Sequence, residues 1–160
     1  MKKCCWILAI ALLLCGCGVA ETFETVDDAV IQPVMQAQKK ICLSMEEADV
    51  ILEGETGAVY LCDGYEVAVE VLSAGNLTAT FQALTGFAPE ELTVMETAVT
   101  DAARYESVWT AASEEGVLVC RTVILDDGAY HYCITFSAAA EDAQELQDTW
   151  RTIAASFQIA

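Results

Sequence analysis

The stretch TVILDDGAYHYCITFSA (residues 122–138), followed by EDAQELQDTWRTIAASFQI (residues 141–159), decides the fold of this 160-residue chain. In the first stretch, apolar and β-branched runs flank Asp126-Asp127-Gly128, which predicts two antiparallel strands joined by a tight turn. In the second, apolar residues recur at steps of three and four, which predicts an amphipathic helix over residues 140–157. This apolar stripe contains Ala143, Leu146, Trp150, Ile153 and Phe157.

Working outward, the sequence pattern from residue 93 to residue 137 predicts a four-stranded meander. We predict strands at residues 93–100, 104–112, 117–125 and 129–137, and the short connections make neighbouring strands antiparallel. The last two strands carry apolar residues on both faces. This predicts that the sheet is covered on both sides, or at least that these strands lie near its centre.

The region before the meander predicts a strand, a hairpin and a helix. A first strand is expected at residues 39–45, an acidic loop at 46–49 and a turn at 54–57. Residues 58–62 and 65–72 flank Asp63-Gly64, a strong hairpin signal because Gly adopts positive φ without strain. In the second arm, the face that carries Tyr65 is apolar, and the face that carries Glu66 is expected to be partly exposed to solvent.

A helix follows, with Asn76 as its N-cap and Gly86 as its stop. Its apolar stripe is narrow, which is typical of a helix that lies on a sheet. A single helical turn is then expected at Pro89.

Together with the two stretches quoted first, this order of elements resembles the PsbP-like fold, shared by an extrinsic photosystem subunit and the Mog-type nuclear-transport factor. The resemblance spans residues 39–160. It implies an α+β fold in which helices pack on an antiparallel sheet, as an α/β/α sandwich. Because it is a resemblance of pattern without a chemical motif, it implies no functional residue.

The N-terminus, MKKCCWILAIALLLCGCG, predicts an export signal, because two lysines precede a short apolar run that ends in small residues. Leu14-Cys15-Gly16-Cys17 resembles a bacterial lipobox, although Cys15 stands where a small aliphatic or hydroxyl residue is usual. The resemblance implies cleavage after Gly16 and a diacylglycerol on the Cys17 thiol. An uncleaved membrane anchor is the alternative, but residues 4–20 fall short of the about 20 apolar residues that a span needs.

The predicted organisation is therefore a signal peptide at residues 1–16, a tether at 17–38 and one domain at 39–160. Either form of anchoring places the domain at the extracytoplasmic face of a cell membrane. Lipid on Cys17 would be the contact with the membrane, since two or more acyl chains hold a protein stably.

The chain is strongly acidic, with 25 acidic against seven basic residues and a formal net charge of −18. A surface of this sign repels nucleic acid and anionic lipid headgroups. It is compatible with cationic partners and with loosely held divalent cations, or it serves only to keep the domain soluble.

Cysteines beyond the lipobox fall at positions 42, 62, 120 and 133. In an oxidising compartment, Cys42, Cys62, Cys120 and Cys133 allow two disulfides in three connectivities. The alternative is four reduced, apolar side chains. No CxxC pair is present, so a thiol-exchange motif is absent.

Residues with catalytic chemistry are few. His131 is the only histidine, and we expect it half-exposed on a strand, on the face opposite Tyr130 and Tyr132. The acidic pairs at 126–127 and 114–115 are expected to serve turns. Ser107, Ser113 and Ser137 lack the sequence context of a serine hydrolase. The aromatic candidates are explained by strand packing, since strands are rich in aromatic residues. They are Tyr60, Tyr65, Tyr130, Tyr132 and Trp109.

We therefore expect no catalytic, cofactor-binding or metal-binding residue, and one modified residue, Cys17. The function predicted is that of a non-catalytic, lipid-anchored binding or accessory protein of the bacterial cell envelope, with an unknown protein or small-molecule partner. The alternatives are an envelope enzyme that uses His131 or an acidic pair, and a structural spacer at the cell surface.

Overall fold

The computed structural model describes residues 37–45 and 48–160. Their fold is α+β, as predicted: a seven-stranded antiparallel sheet in the order β2-β3-β4-β8-β7-β6-β5 has one helix on each face, and a separate ribbon joins the two ends of the domain. The elements are β1 Ile41–Cys42, β2 Asp49–Glu53, β3 Gly57–Leu61, β4 Glu66–Ser73, α1 Leu77–Thr85, a 3₁₀ turn Pro89–Glu91, β5 Val94–Val99, β6 Ala102–Ser113, β7 Gly116–Asp126, β8 Tyr130–Ala139, α2 Ala143–Ser156 and β9 Gln158–Ile159.

The predicted meander and its central position are confirmed. β8 lies between β4 and β7, so that Phe136 pairs with Val67 on one side and with Arg121 on the other. The larger core forms where α2 packs on this centre. It includes Val67, Val123, Ile134, Phe136, Trp150 and Phe157.

The smaller helix, α1, covers the opposite face. Asn76 Oδ1 accepts a hydrogen bond of 2.9 Å from the Thr78 N–H, which confirms the N-cap. Gly86 ends the helix at φ +80°, as its C-cap. Phe81 and Leu84 of α1 then pack on side chains of β7 and β8, so the sheet is buried on both faces.

The N-terminal part differs from the prediction in two places. The first strand is only Ile41–Cys42, because its partner is the short segment Gln158–Ile159 at the other end of the chain. The strand Asp49–Glu53 was not predicted, because a register shift between Val50 and Leu52 breaks the alternation by which strands are recognised.

The predicted signal peptide, Cys17 and most of the tether lie outside the described residues, as do Glu46 and Glu47. Within residues 37–45 and 48–160, no helix combines the length and apolar character that a membrane span requires.

Candidate functional site

The structure places His131 on β8, on the face opposite Tyr130 and Tyr132, as predicted. The expectation that it is half-exposed was wrong, because α1 covers it and leaves it 2% exposed. Its Nδ1 lies 2.7 Å from Thr80 Oγ1, and its Nε2 lies 3.5 Å from Asp126 Oδ2. The histidine therefore connects α1 to the sheet.

The acidic pair at 126–127 serves the β7–β8 turn, as predicted. Asp127 Oδ1 accepts hydrogen bonds from the backbone N–H groups of Tyr130 (2.8 Å) and Ala129 (3.0 Å). Burial acts to raise the pKa of Asp127, but these bonds and the ammonium of Lys39 hold it below its usual value. The other pair, residues 114–115, forms the exposed two-residue turn between β6 and β7.

The four cysteines within the described residues are free in this structure. Cys42 is exposed, and the other three are buried. Burial raises the pKa of Cys120 to about 12, and burial together with the nearby Glu70 carboxylate raises the pKa of Cys133. These two thiols are therefore poor nucleophiles at neutral pH.

Two carboxyl groups are buried where the sequence predicted a partly wet face. Glu66 and Glu70 are 2% and 8% exposed, on a strand that lies inside the sheet between β3 and β8. Their cross-strand neighbours on β8 are Ser137 and Cys133. Burial raises the pKa of both carboxyl groups.

The aromatic residues are used in ordinary packing, as expected. Tyr65 lies edge-on to Trp150, with ring centroids 6.3 Å apart, and Tyr132 is fully buried. Trp109 lies edge-on to Phe87, and its Nε1 donates to Thr122 Oγ1 (3.0 Å). No three His, Cys, Asp or Glu side chains converge as a metal site would need, in the part of the chain that the structure describes.

The sequence did not single out the three arginines of the chain as site residues. Glu106 on β6 bridges two of them: its Oε1 accepts from Arg104 Nε (2.7 Å) and its Oε2 from Arg121 Nη2 (2.6 Å). Arg104 also donates from Nη2 to the Ala154 carbonyl near the end of α2 (2.9 Å). Burial acts to raise the pKa of Glu106, but the bonds from both guanidinium groups hold it below its usual value.

Beside this bridge lies a cavity of about 320 Å³, which we call the arginine groove. It is lined by Thr93 and Met95 near the start of β5, by residues 106–108 of β6, by Arg121 of β7 and by Arg151 of α2. Arg151 binds Asp148 (2.6 Å) and keeps its side chain 66% exposed. Met95 and Val108, 59% and 57% exposed, add apolar surface next to these cations.

The arginine groove can therefore hold an anionic group by charge-assisted hydrogen bonds and an apolar group beside it. The sequence contained one signal for it, three arginines in an acidic chain, but their distances along the chain gave no reason to place them together.

A second cavity, of about 370 Å³, lies between β1 and the β2–β3 turn. Apolar side chains such as Leu43, Tyr60 and Val71 line most of it, and Glu53 and Glu55 are its charged residues. It offers room for an apolar group but no cation to orient one. The arginine groove is therefore the better candidate for a binding site.

The fold is shared with a solved cyanobacterial structure. The cyanobacterial PsbP protein (CyanoP) of Synechocystis sp. PCC 6803 is 10% identical, with a TM-score of 0.54, over 80% of this chain and 96% of that one. This likeness shows the fold alone, and it confirms the PsbP-like architecture expected from the sequence.

Two further structures match less well. A Pseudomonas aeruginosa protein of unknown function, PA94, described as a putative regulator, is 10% identical, with a TM-score of 0.46, over 75% of this chain and 83% of that one. A Bacteroides thetaiotaomicron protein is 10% identical, with a TM-score of 0.48, over 79% of this chain and 49% of that one. At TM-scores below 0.5, neither bears on the fold. No family model matches the chain, and no curated protein matches it.

Proposed function

We propose that this protein is a non-catalytic accessory or binding protein, tethered through a lipid on Cys17 to the extracytoplasmic face of a bacterial membrane, and that it binds an anionic partner in the arginine groove. One observation carries the proposal. In a chain of net charge −18, two of the three arginines, Arg121 and Arg151, line one open groove, and the third, Arg104, binds the Glu106 carboxylate in its wall.

The local charge of the groove differs in sign from that of the chain. Arg121 and Arg151 line it together with Glu106, which also binds Arg104, and Asp148 binds Arg151, so three guanidinium groups stand against two carboxylates. At physiological ionic strength the Debye length is about 8 Å, so distant carboxylates of the acidic surface are largely screened. An anionic group in the groove therefore responds mainly to the nearby guanidinium groups.

The absence of catalysis is supported by how the candidate residues are occupied. His131 is buried against Thr80, and Asp126 and Asp127 accept backbone hydrogen bonds in a turn. Each of these groups therefore has a structural role, and His131 is also out of reach of a substrate at 2% exposed.

Anchoring is tested by metabolic labelling with radioactive palmitate in a bacterial host that expresses the full chain. The wild type should carry label and sediment with membranes, whereas Cys17→Ala should lose the label and keep its leader. Label that persists in Cys17→Ala, or an unacylated wild type, would contradict the proposal. Cys15→Ala is the matched control, since it should be labelled normally.

The binding surface is tested with a photo-crosslinking amino acid at Val108, in the groove, and at Gln82, exposed on α1. We expect an envelope adduct from position 108 that disappears in Arg121→Gln/Arg151→Gln and persists in the control Lys40→Gln. Equal adducts from both positions would show that the groove is not the surface. The complete absence of adducts would instead favour a structural spacer.

A further inference from the structure

The edge of β6 is open next to the arginine groove. β5 pairs with β6 from Val99↔Ala102 to Val94↔Ser107, and the pairing stops there, although β6 continues to Ser113. Among the described residues, no backbone hydrogen bond outside the strand ladders reaches residues 108–113. The outer side of this half of β6 therefore has unpaired backbone groups.

The register shows which groups these are. Ser113 of β6 faces Gly116 of β7 across a two-residue turn. In such a pair, the N–H and C=O groups of each residue bond those of the other, so Ser113 directs its backbone groups toward β7. Every second residue back along β6 does the same toward β7. The intervening residues point their N–H and C=O groups away from β7. Beyond the end of β5, these are Val108, Thr110 and Ala112, all of which are exposed.

The groove lies on the α2 face of the sheet, over the start of β5 and the adjoining part of β6, and Val108, the first residue of β6 beyond the end of β5, is part of its lining. Val108 pairs with Arg121 on β7, so both side chains stand on the α2 face. A strand added to β6 would place its own side chains on that face about 10 Å from those of β7, two strand spacings away. Long arginine and glutamate side chains span this distance together.

We propose that the partner of the arginine groove is an extended acidic peptide segment, which adds to β6 as a strand along residues 108–112 and directs its carboxylates toward Arg121 and Arg151. This inference rests on the proposed function and specifies the chemistry of its partner. The backbone groups of Val108, Thr110 and Ala112 provide the hydrogen bonds of strand addition, and the arginines select acidic side chains.

The other edges of the sheet suit this partner less well. The outer edge of β2 contains the register shift at Val50 and carries Asp49 and Glu53, which repel an acidic strand. β5 carries Glu96, and the arginines that line the groove, Arg121 and Arg151, lie beyond its partner strand β6, on β7 and α2. Only at residues 108–112, among the described residues, do a free backbone edge and the arginine groove coincide.

The test uses the full chain, ¹⁵N-labelled in detergent micelles, and an acetylated octapeptide of alternating Glu and Val, whose carboxylates all lie on one face when it is extended. Binding should slow hydrogen exchange at the amides of Val108, Thr110 and Ala112. A peptide methylated on alternate backbone nitrogens and a Lys/Val peptide should each bind at least about tenfold more weakly. Arg151→Gln should weaken binding by about fivefold.

Thr110→Pro provides a variant on the protein side, because the Thr110 N–H points away from β7 and its loss leaves the β6–β7 ladder intact. It should weaken peptide binding by about tenfold with little change in melting temperature. Lys40→Gln, which removes a charge away from the groove, should bind normally.

The possible failures are distinguishable. If the acidic peptide shifts the Nε–H signals of Arg121 and Arg151 but leaves the three amides unprotected, the groove binds anions without strand addition. In that case this inference is wrong and the proposed function survives. If neither the arginine nor the amide signals respond, the groove is not a site for acidic peptides, and both fail.

Discussion

Thr80 on α1 and His131 on β8 meet in the interior, with Thr80 Oγ1 2.7 Å from His131 Nδ1. Both side chains are more than nine-tenths buried. The contact joins the smaller helix to the centre of the sheet, and it explains why the single histidine of the chain occupies a core position.

We predict that Thr80→Val destabilises the fold by about 1–3 kcal/mol, because it leaves a buried ring nitrogen without its partner while keeping the shape of the side chain. Urea unfolding of the two proteins measures the difference. Thr78→Val, less buried on the same helix, is the control and should be close to neutral. Equal stabilities of the wild type and Thr80→Val would show that the contact contributes nothing.

A second prediction concerns the buried carboxyl groups of Glu66 and Glu70, whose pKa burial raises above the ordinary 4.5. Above that pH the folded chain holds more protons than the unfolded chain, so its stability falls as pH rises through the raised pKa values. Glu66→Gln/Glu70→Gln removes this dependence and should be more stable than the wild type at pH 7. Urea titrations from pH 4.5 to 8 test this, with exposed Glu55→Gln as the control.

For Glu106 we predict the opposite dependence on pH. Its pKa is lowered in the folded state because two guanidinium groups bond its carboxylate, so the contribution to stability is present above pH 4.5 and is lost as pH falls through the lowered pKa. Glu106→Gln should lose about 1–3 kcal/mol at pH 7, and the difference should shrink in acid. Glu96→Gln, exposed on the neighbouring strand, should show neither effect. A deficit that is the same at pH 3 and pH 7 would contradict the ion-pair explanation.

The fourth prediction concerns thiol reactivity. Cys42 is exposed, whereas Cys120 and Cys133 are buried and have raised pKa values. The two buried thiols should therefore react with a thiol reagent only when the protein unfolds. Cys42→Ser should remove one fast-reacting thiol in a colorimetric disulfide-exchange assay, and Cys120→Ser and Cys133→Ser should remove none. A disulfide found in the purified protein by mass spectrometry between any two of these three residues would contradict the structure.

Local features were predictable from the sequence because neighbouring residues determine them. Asp63-Gly64 forms its turn with Gly64 at φ +79°, Asn76 caps α1, and the apolar stripe of α2 packs on the sheet at Trp150 and Phe157. In each case the backbone conformation, or the periodicity of side chains, is set within a few residues.

Other features depend on pairings between distant residues. β1 is a strand only because Ile41 meets Ile159 at the other end of the domain. Whether His131 and Glu66 are buried depends on what covers or flanks their strands, which the alternation along a single strand does not reveal.

The sequence by itself determined the α+β class, the meander, both helices and the strong negative charge, and it made Cys17 the predicted site of lipid attachment. Only the tertiary structure decided that Arg121 and Arg151 line one groove beside the Arg104–Glu106 pair, and that half of β6 lacks a partner on its outer side. The physical reason is that strand register, and the packing of α2 on the sheet, bring together charges that no local pattern connects.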